Sequence, residues 1–137
     1  MGKPKMGLPL PRFPEPDTEP FWEATKAHEL KYQVCDDCGG VVWHPRRHCT
    51  HCTSLNLSWK TSKGDGTVYT FSIVRQNYYP AFREKIPYVI AWIDVDEGFR
   101  MLSNVVGVDA ESVSCGQRVK VSWDDQEGLS LPMFTPA

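Results

Sequence analysis

Cys35-Asp36-Asp37-Cys38-Gly39-Gly40 and Cys49-Thr50-His51-Cys52, with ten residues between the two cysteine pairs, form the stretch whose reading decides the fold. Each C-x-x-C turn brings two sulfurs to one point. Two such turns close a tetrahedron around a thiophilic ion, with zinc–sulfur bonds of about 2.3 Å. Gly39 and Gly40 follow the first pair, where the backbone must fold tightly round a metal. A disulfide framework is the poorer reading, because five cysteines are an odd number and no export signal supplies an oxidising compartment. Four thiolates leave no open coordination position, so the ion is expected to be structural Zn2+, with iron as the alternative that also suits four sulfurs. His44, His48 and His51 crowd the same region; with four sulfurs already placed, they read as surface groups or neighbours of the ligands.

On the N-terminal side, residues 1–20 hold six of the eleven prolines. Residues 1–16 therefore read as an extended arm that forms neither helix nor central strand. A helix is predicted from about Glu19 to Leu30, capped by Asp17 or Thr18, with Phe21 and Trp22 beginning its apolar edge. Tyr32-Gln33-Val34, Val41-Val42-Trp43 and Leu57-Ser58-Trp59 are short strands alternating with the metal turns. Together they make a zinc ribbon, too small to fold without its ion.

On the C-terminal side, Gly64-Asp65-Gly66 marks a turn into an all-β stretch. Thr67–Gln76 is expected to place Tyr69, Phe71 and Ile73 on one face and Val68, Thr70 and Val74 on the other. Tyr88–Val95 is apolar on both faces, and Asp96-Glu97-Gly98 turns it into a strand over Phe99–Val106. Arg118–Trp123 alternates cleanly, and Leu131–Phe134 reads as an edge strand because Pro132 lacks an amide donor. Five short strands without crossover helices predict a small barrel of the OB type. The fold class is thus mostly β, organised as an arm (1–16), a helix (17–31), a zinc ribbon (32–62) and an OB barrel (63–137).

Composition narrows the function. The 137 residues are 41% apolar and 23% charged with a net charge of -2, which suits a soluble globular chain and excludes a disordered one. The longest apolar run, Ile86–Ile93, contains Pro87 and is too short for a bilayer, so a cytoplasmic protein without membrane contact is expected. Slight acidity, with the run Asp124-Asp125-Gln126-Glu127, argues against a nucleic-acid partner. A single-stranded nucleic-acid binder with Tyr69, Phe71 and Tyr78 as stacking platforms is therefore the second-ranked reading. Ser/His/Asp, phosphate-loop and H-E-x-x-H patterns are all lacking, and Cys115 beside Gly116 reads as a turn residue. The loop Asn77–Pro87 is long for a hairpin connection, where about 2–5 residues are usual. Its Tyr78, Tyr79 and Phe82 either cap an open barrel end or form a contact surface. Its Arg83 and Lys85, with Arg46 and Arg47 at the ribbon tip, are candidate phosphate contacts.

The order of motifs resembles the family catalogued as domain of unknown function 35. These are FW-x-A at Phe21–Ala24, C-x-x-C-G from Cys35, H-P-R at His44–Arg46 and C-x-x-C at Cys49–Cys52. They continue with G-x-G-T-V-Y-T-F at Gly64–Phe71, P-Y-V at Pro87–Val89, E-G at Glu97–Gly98 and P-x-F-x-P at Pro132–Pro136. The resemblance implies an N-terminal helix, a rubredoxin-like zinc ribbon and an OB fold. It also implies a non-catalytic accessory subunit of a thiolase-like acyl-CoA enzyme, above all a retro-aldol lyase of steroid side-chain degradation. The implied partner is a lipid-transfer-protein-like thiolase-fold chain that supplies the catalytic groups. The expected assembly is a hetero-oligomer, such as two copies of each chain, with an acyl-CoA ligand at the interface. Some members of the family carry a hydratase-fold domain, which this sequence lacks, so no hydration role is expected of it.

Overall fold

A computed structural model of the chain describes residues 7–137; residues 1–6 of the expected arm lie outside the described residues. Gly7–Pro14 carries no regular secondary structure, in keeping with its prolines. Helix α1 (Glu19–Thr25) follows, with Pro20 in its first turn, where no intrahelical amide bond is lost. It stops at Thr25 rather than continuing to Leu30. His28 adopts a left-handed φ of 59°, and the His28 and Glu29 amides donate back to the Thr25 and Ala24 carbonyls at 2.9 and 3.1 Å. That pattern is a Schellman-type stop, here built on a residue other than glycine.

Strands β1 (Lys31–Cys35), β2 (Val41–Val42) and β3 (Leu57–Thr61) form an antiparallel sheet in the order β2-β1-β3. Strands β4 (Asp65–Val74), β5 (Tyr88–Val95), β6 (Phe99–Val105), β7 (Arg118–Gln126) and β8 (Leu129–Pro136) close a barrel in the order β4-β5-β6-β8-β7. This is the expected ribbon and OB-type barrel. A four-residue helix, α2 (Pro80–Arg83), interrupts the long β4–β5 loop. Gly66 lies on β4 between β5 and β7, and a Cβ there would meet the Asp94 carbonyl oxygen at 2.8 Å.

Two strand readings change. The β4–β5 register shifts between Val68 and Thr70, so the faces of β4 exchange there. Val68 is buried on the side later occupied by half-buried Phe71 and Ile73, whereas Tyr69 turns outward beneath the Arg100 guanidinium. Strand β8 is longer than expected and is no edge strand. It pairs with β7 from Gln126↔Leu129 to Val119↔Pro136 and meets β6 in parallel at Val105↔Phe134. Pro132 is tolerated because its carbonyl faces the β6–β8 seam, where it accepts the Ser103 hydroxyl at 2.7 Å.

Three contacts bind helix, ribbon and barrel together. Trp43 of the ribbon stacks on Phe99 of β6 at 4.7 Å and meets Phe21 of α1 edge-on at 5.4 Å. The Glu97 carboxylate in the β5–β6 turn accepts the Ser62 hydroxyl and the Lys63 amide just after β3. The fully buried Thr25 hydroxyl donates to the Trp22 carbonyl at 2.5 Å and accepts the Ser130 amide of β8 at 3.1 Å. Replacing that hydroxyl with a methyl strands a buried amide, at a cost of roughly 1–3 kcal/mol. Thr25→Ser keeps both bonds and loses one methyl, about 0.8 kcal/mol. In urea unfolding, Thr25→Val is therefore expected to have the lower midpoint; a midpoint at or above that of Thr25→Ser contradicts this junction.

Candidate functional site

The first turn leaves β1 at Cys35 and is shaped by two glycines. Gly39 has a φ of +73°, and a Cβ on Gly40 would meet the His51 ring at 2.5 Å. Cys49–Cys52 forms the second turn, closed by Thr53 at a left-handed φ of 65°. Amides point at the sulfurs: Cys38 N–H to Cys35 Sγ at 3.5 Å, Gly40 to Cys38 at 3.4 Å, His51 to Cys49 at 3.2 Å. The four sulfurs lie within 4.8 Å of one another, with Cys35–Cys52 at 3.6 Å and Cys38–Cys49 at 3.7 Å. A tetrahedron of metal–sulfur bonds near 2.3 Å has an edge of about 3.8 Å, so the donor set fits a zinc-sized thiophilic ion.

The electrostatics point the same way. Burial opposes ionisation of the Cys49 thiol most strongly, yet amides of His51 and Cys52 and neighbouring thiols draw it down to about 7. The Ser54 amide favours the Cys52 thiolate, but the surrounding sulfurs push that thiol up to about 12. Thiolates this close repel one another, and a divalent cation removes the conflict by accepting all of them. Around them, Asp37 accepts the Ser54 hydroxyl and the Asn56 amide, which hold its carboxyl below the usual range. His51 turns its Nε2 to the Val41 carbonyl at 3.1 Å, while His44 and His48 are exposed.

A second feature is an open groove of about 1190 Å³. Six consecutive residues of β6, Arg100–Val105, line it, as do Leu131–Met133 of β8. Neighbouring strand residues face opposite sides. Lining by consecutive residues therefore means that the seam between β6 and β8 opens here, which agrees with the single bridge joining these strands. Trp22 of α1 and Trp43 of the ribbon stand along it, with Trp92 (43% exposed) and Leu102 (50%) on the barrel side. Arg46 and Lys85 line it with the carboxylate of Asp124, while Arg100 in its wall is held by Asp94 through hydrogen bonds of 2.6 and 3.2 Å.

The expected contact residues divide between groove and periphery. Arg46, Phe82 and Lys85 line the groove. Arg46 is positioned through its backbone, which exchanges hydrogen bonds of 2.8 and 2.9 Å with the buried Gln33 side chain. Arg47 is exposed off the groove, and Arg83 donates to the Tyr78 carbonyl at 2.9 Å. Tyr78 is 79% exposed, and the Tyr79 hydroxyl donates to the Gly7 carbonyl at 3.4 Å. Of the stacking candidates, Tyr69 is covered by Arg100 at 3.5 Å and Phe71 is half-buried, which leaves Tyr78 open. Sequence reasoning missed Trp92, Arg100, Leu102 and Met133. The signal that pointed to them was β5 itself: a barrel strand apolar on both faces must present an apolar outer side. Cys115 is exposed in the turn before β7.

Cys49 is 1% exposed and packs with Cys35 and Val42 as the ribbon's own small core. Cys49→Ser is expected to abolish stoichiometric zinc and to melt β1–β3, read by elemental analysis and amide exchange, with β4–β8 retained. Full zinc content in that variant overturns the thiolate site.

Two family models match the chain: the ChsH2 rubredoxin-like zinc ribbon domain over residues 22–58 and the ChsH2 C-terminal OB-fold domain over residues 59–124. The probable enoyl-CoA hydratase alpha subunit of Thermomonospora curvata is 33% identical over 137 residues, which are 98% of this chain and 42% of that one. The 3-oxo-4,17-pregnadiene-20-carboxyl-CoA hydratase alpha subunit of Mycobacterium tuberculosis is 33% identical over 121 residues, 88% and 38% of the two chains. The chain thus spans about two fifths of the length of these curated relatives. Among solved structures, the Ltp2-ChsH2(DUF35) aldolase superposes with a TM-score of 0.83 at 30% identity, covering 93% of this chain and 98% of that one. Both segments, in this order and with this fold, show that the chain belongs to the ChsH2 (DUF35) family of zinc-ribbon and OB-fold proteins.

Proposed function

We propose that this chain is a non-catalytic accessory subunit that binds and completes an acyl-CoA-processing enzyme. The observation that carries the reading is the match over 98% of the DUF35 chain of the Ltp2-ChsH2 aldolase. The two hydratase relatives are named as alpha subunits of enzymes acting on CoA esters. Within this reading the enzyme is a retro-aldol lyase of steroid side-chain degradation, and its catalytic groups belong to a lipid-transfer-protein-like thiolase-fold partner. Cys35, Cys38, Cys49 and Cys52 hold Zn2+, which shapes the ribbon and takes no part in bond breaking. The groove supports the rest: an apolar trough rimmed by Arg46 and Lys85 suits an apolar acyl chain carrying phosphates. In this reading Arg47 on the ribbon tip and Tyr78, Tyr79 and Arg83 on the long loop add contacts with the partner outside the groove.

The test is co-expression with a lipid-transfer-protein-like thiolase-fold chain. A stable complex is expected, burying more than roughly 1,000 Å², with acyl-CoA cleavage by the complex and none by this chain alone. Leu102→Glu should weaken association at least about tenfold, since a charge in a buried apolar contact costs more than 1.4 kcal/mol. Turnover by the isolated chain, or failure to associate, overturns the proposal. Tight oligonucleotide binding that falls steeply with salt would favour the nucleic-acid reading instead.

A further inference from the structure

The arm before α1 is not idle chain. Leu8 and Leu10 are half-buried, whereas Gly7, Pro9 and Arg12 are exposed. Leu8 and Pro9 belong to the wall of the apolar groove, together with Phe82, Lys85 and Tyr88 of the long loop and strand β5. At one end Gly7 receives the Tyr79 hydroxyl. At the other, Phe13, 44% exposed, lines one side of a small cleft of about 160 Å³ opposite Trp22 and Lys26 of the helix region and Gly128 of the β7–β8 turn. The two attachments therefore lie on different elements flanking the groove, and seven residues in an extended proline-rich conformation reach roughly 19 Å between them.

The attachment is weak by construction. Pro9 and Pro11 have no N–H, and among the described residues no strand pairing joins the arm to the barrel. Among the described residues, the Tyr79–Gly7 contact is the hydrogen bond that ties Gly7–Pro14 to the barrel. What remains is the partial burial of two leucines. Beside the arm, the groove still exposes Trp92, Leu102, Val106 and Val108.

We propose that Gly7–Phe13 is a displaceable strap, which occupies part of the apolar groove in the free chain and yields it to an apolar anionic ligand. Sign and chemistry of the ligand follow from Arg46 and Lys85 against the Asp124 carboxylate, Arg100 being already paired with Asp94. This inference does not depend on the identity of any enzyme partner.

The experiment titrates the full, zinc-loaded chain with anilinonaphthalene sulfonate, an apolar anion that brightens on burial. Leu8→Ser/Leu10→Ser is expected to bind the dye about tenfold more tightly than the natural chain, because removing most of the leucine burial raises the fraction with an open groove. Tyr79→Phe, which lacks the hydroxyl donated to Gly7, should shift binding in the same direction by less. Adding Trp92→Ala to the double variant should abolish the gain. Equal affinity of natural and double-variant chains overturns the strap, and so does a gain that survives Trp92→Ala.

Discussion

Four sulfurs held within 4.8 Å form an arrangement that only a cation makes comfortable, and the order of the whole N-terminal half follows from it. The ribbon has a two-residue strand at one edge and a private core of Cys35, Val42 and Cys49, with Leu57 against it. The ribbon's other apolar residues, Tyr32, Val34, Val41, Trp43 and Trp59, pack in the barrel's cluster and not around the cysteine turns, so those turns rely on the ion for their order. From the ribbon the constraint passes to the barrel through Trp43, clamped between Phe21 and Phe99. It also fixes Arg46, whose backbone is held by Gln33 of β1. The metal site thus sits away from the groove while determining where one of its walls and one of its cations stand.

The barrel supplies the other half of the logic. Its β4–β5, β5–β6 and β7–β8 ladders are long, but the β6–β8 closure is a single bridge. Closing such a seam by side chains leaves a trough instead of a continuous sheet. Ser103 and Pro132 stitch it at one point, and α1 is tied to β8 by Thr25. An open seam walled by tryptophan and leucine is an unfinished surface, and unfinished apolar surfaces of this extent mark sites of association.

Much of this was legible in the chain itself, because the informative features are local. The cysteine spacing, the Asp96-Glu97-Gly98 turn and the alternation of Arg118–Trp123 each depend on a few neighbouring residues. What escaped was set at long range or by backbone detail. Nothing in Glu19–Leu30 announces that His28 will take a left-handed conformation. The shift at Val68/Thr70 reverses two faces without a glycine to mark it. The groove joins Trp22, Trp43, Trp92, Leu102 and Met133, residues spread over much of the chain and assembled only by barrel closure. The family resemblance supplied the accessory role, which composition and spacing alone did not contain.

Absorption spectroscopy at the zinc edge, on gently isolated protein, tests the central claim most directly. It should show four sulfur scatterers at about 2.3 Å and no lighter ligand. A shell containing nitrogen or oxygen at about 2.0–2.1 Å, or a protein without metal, would contradict it.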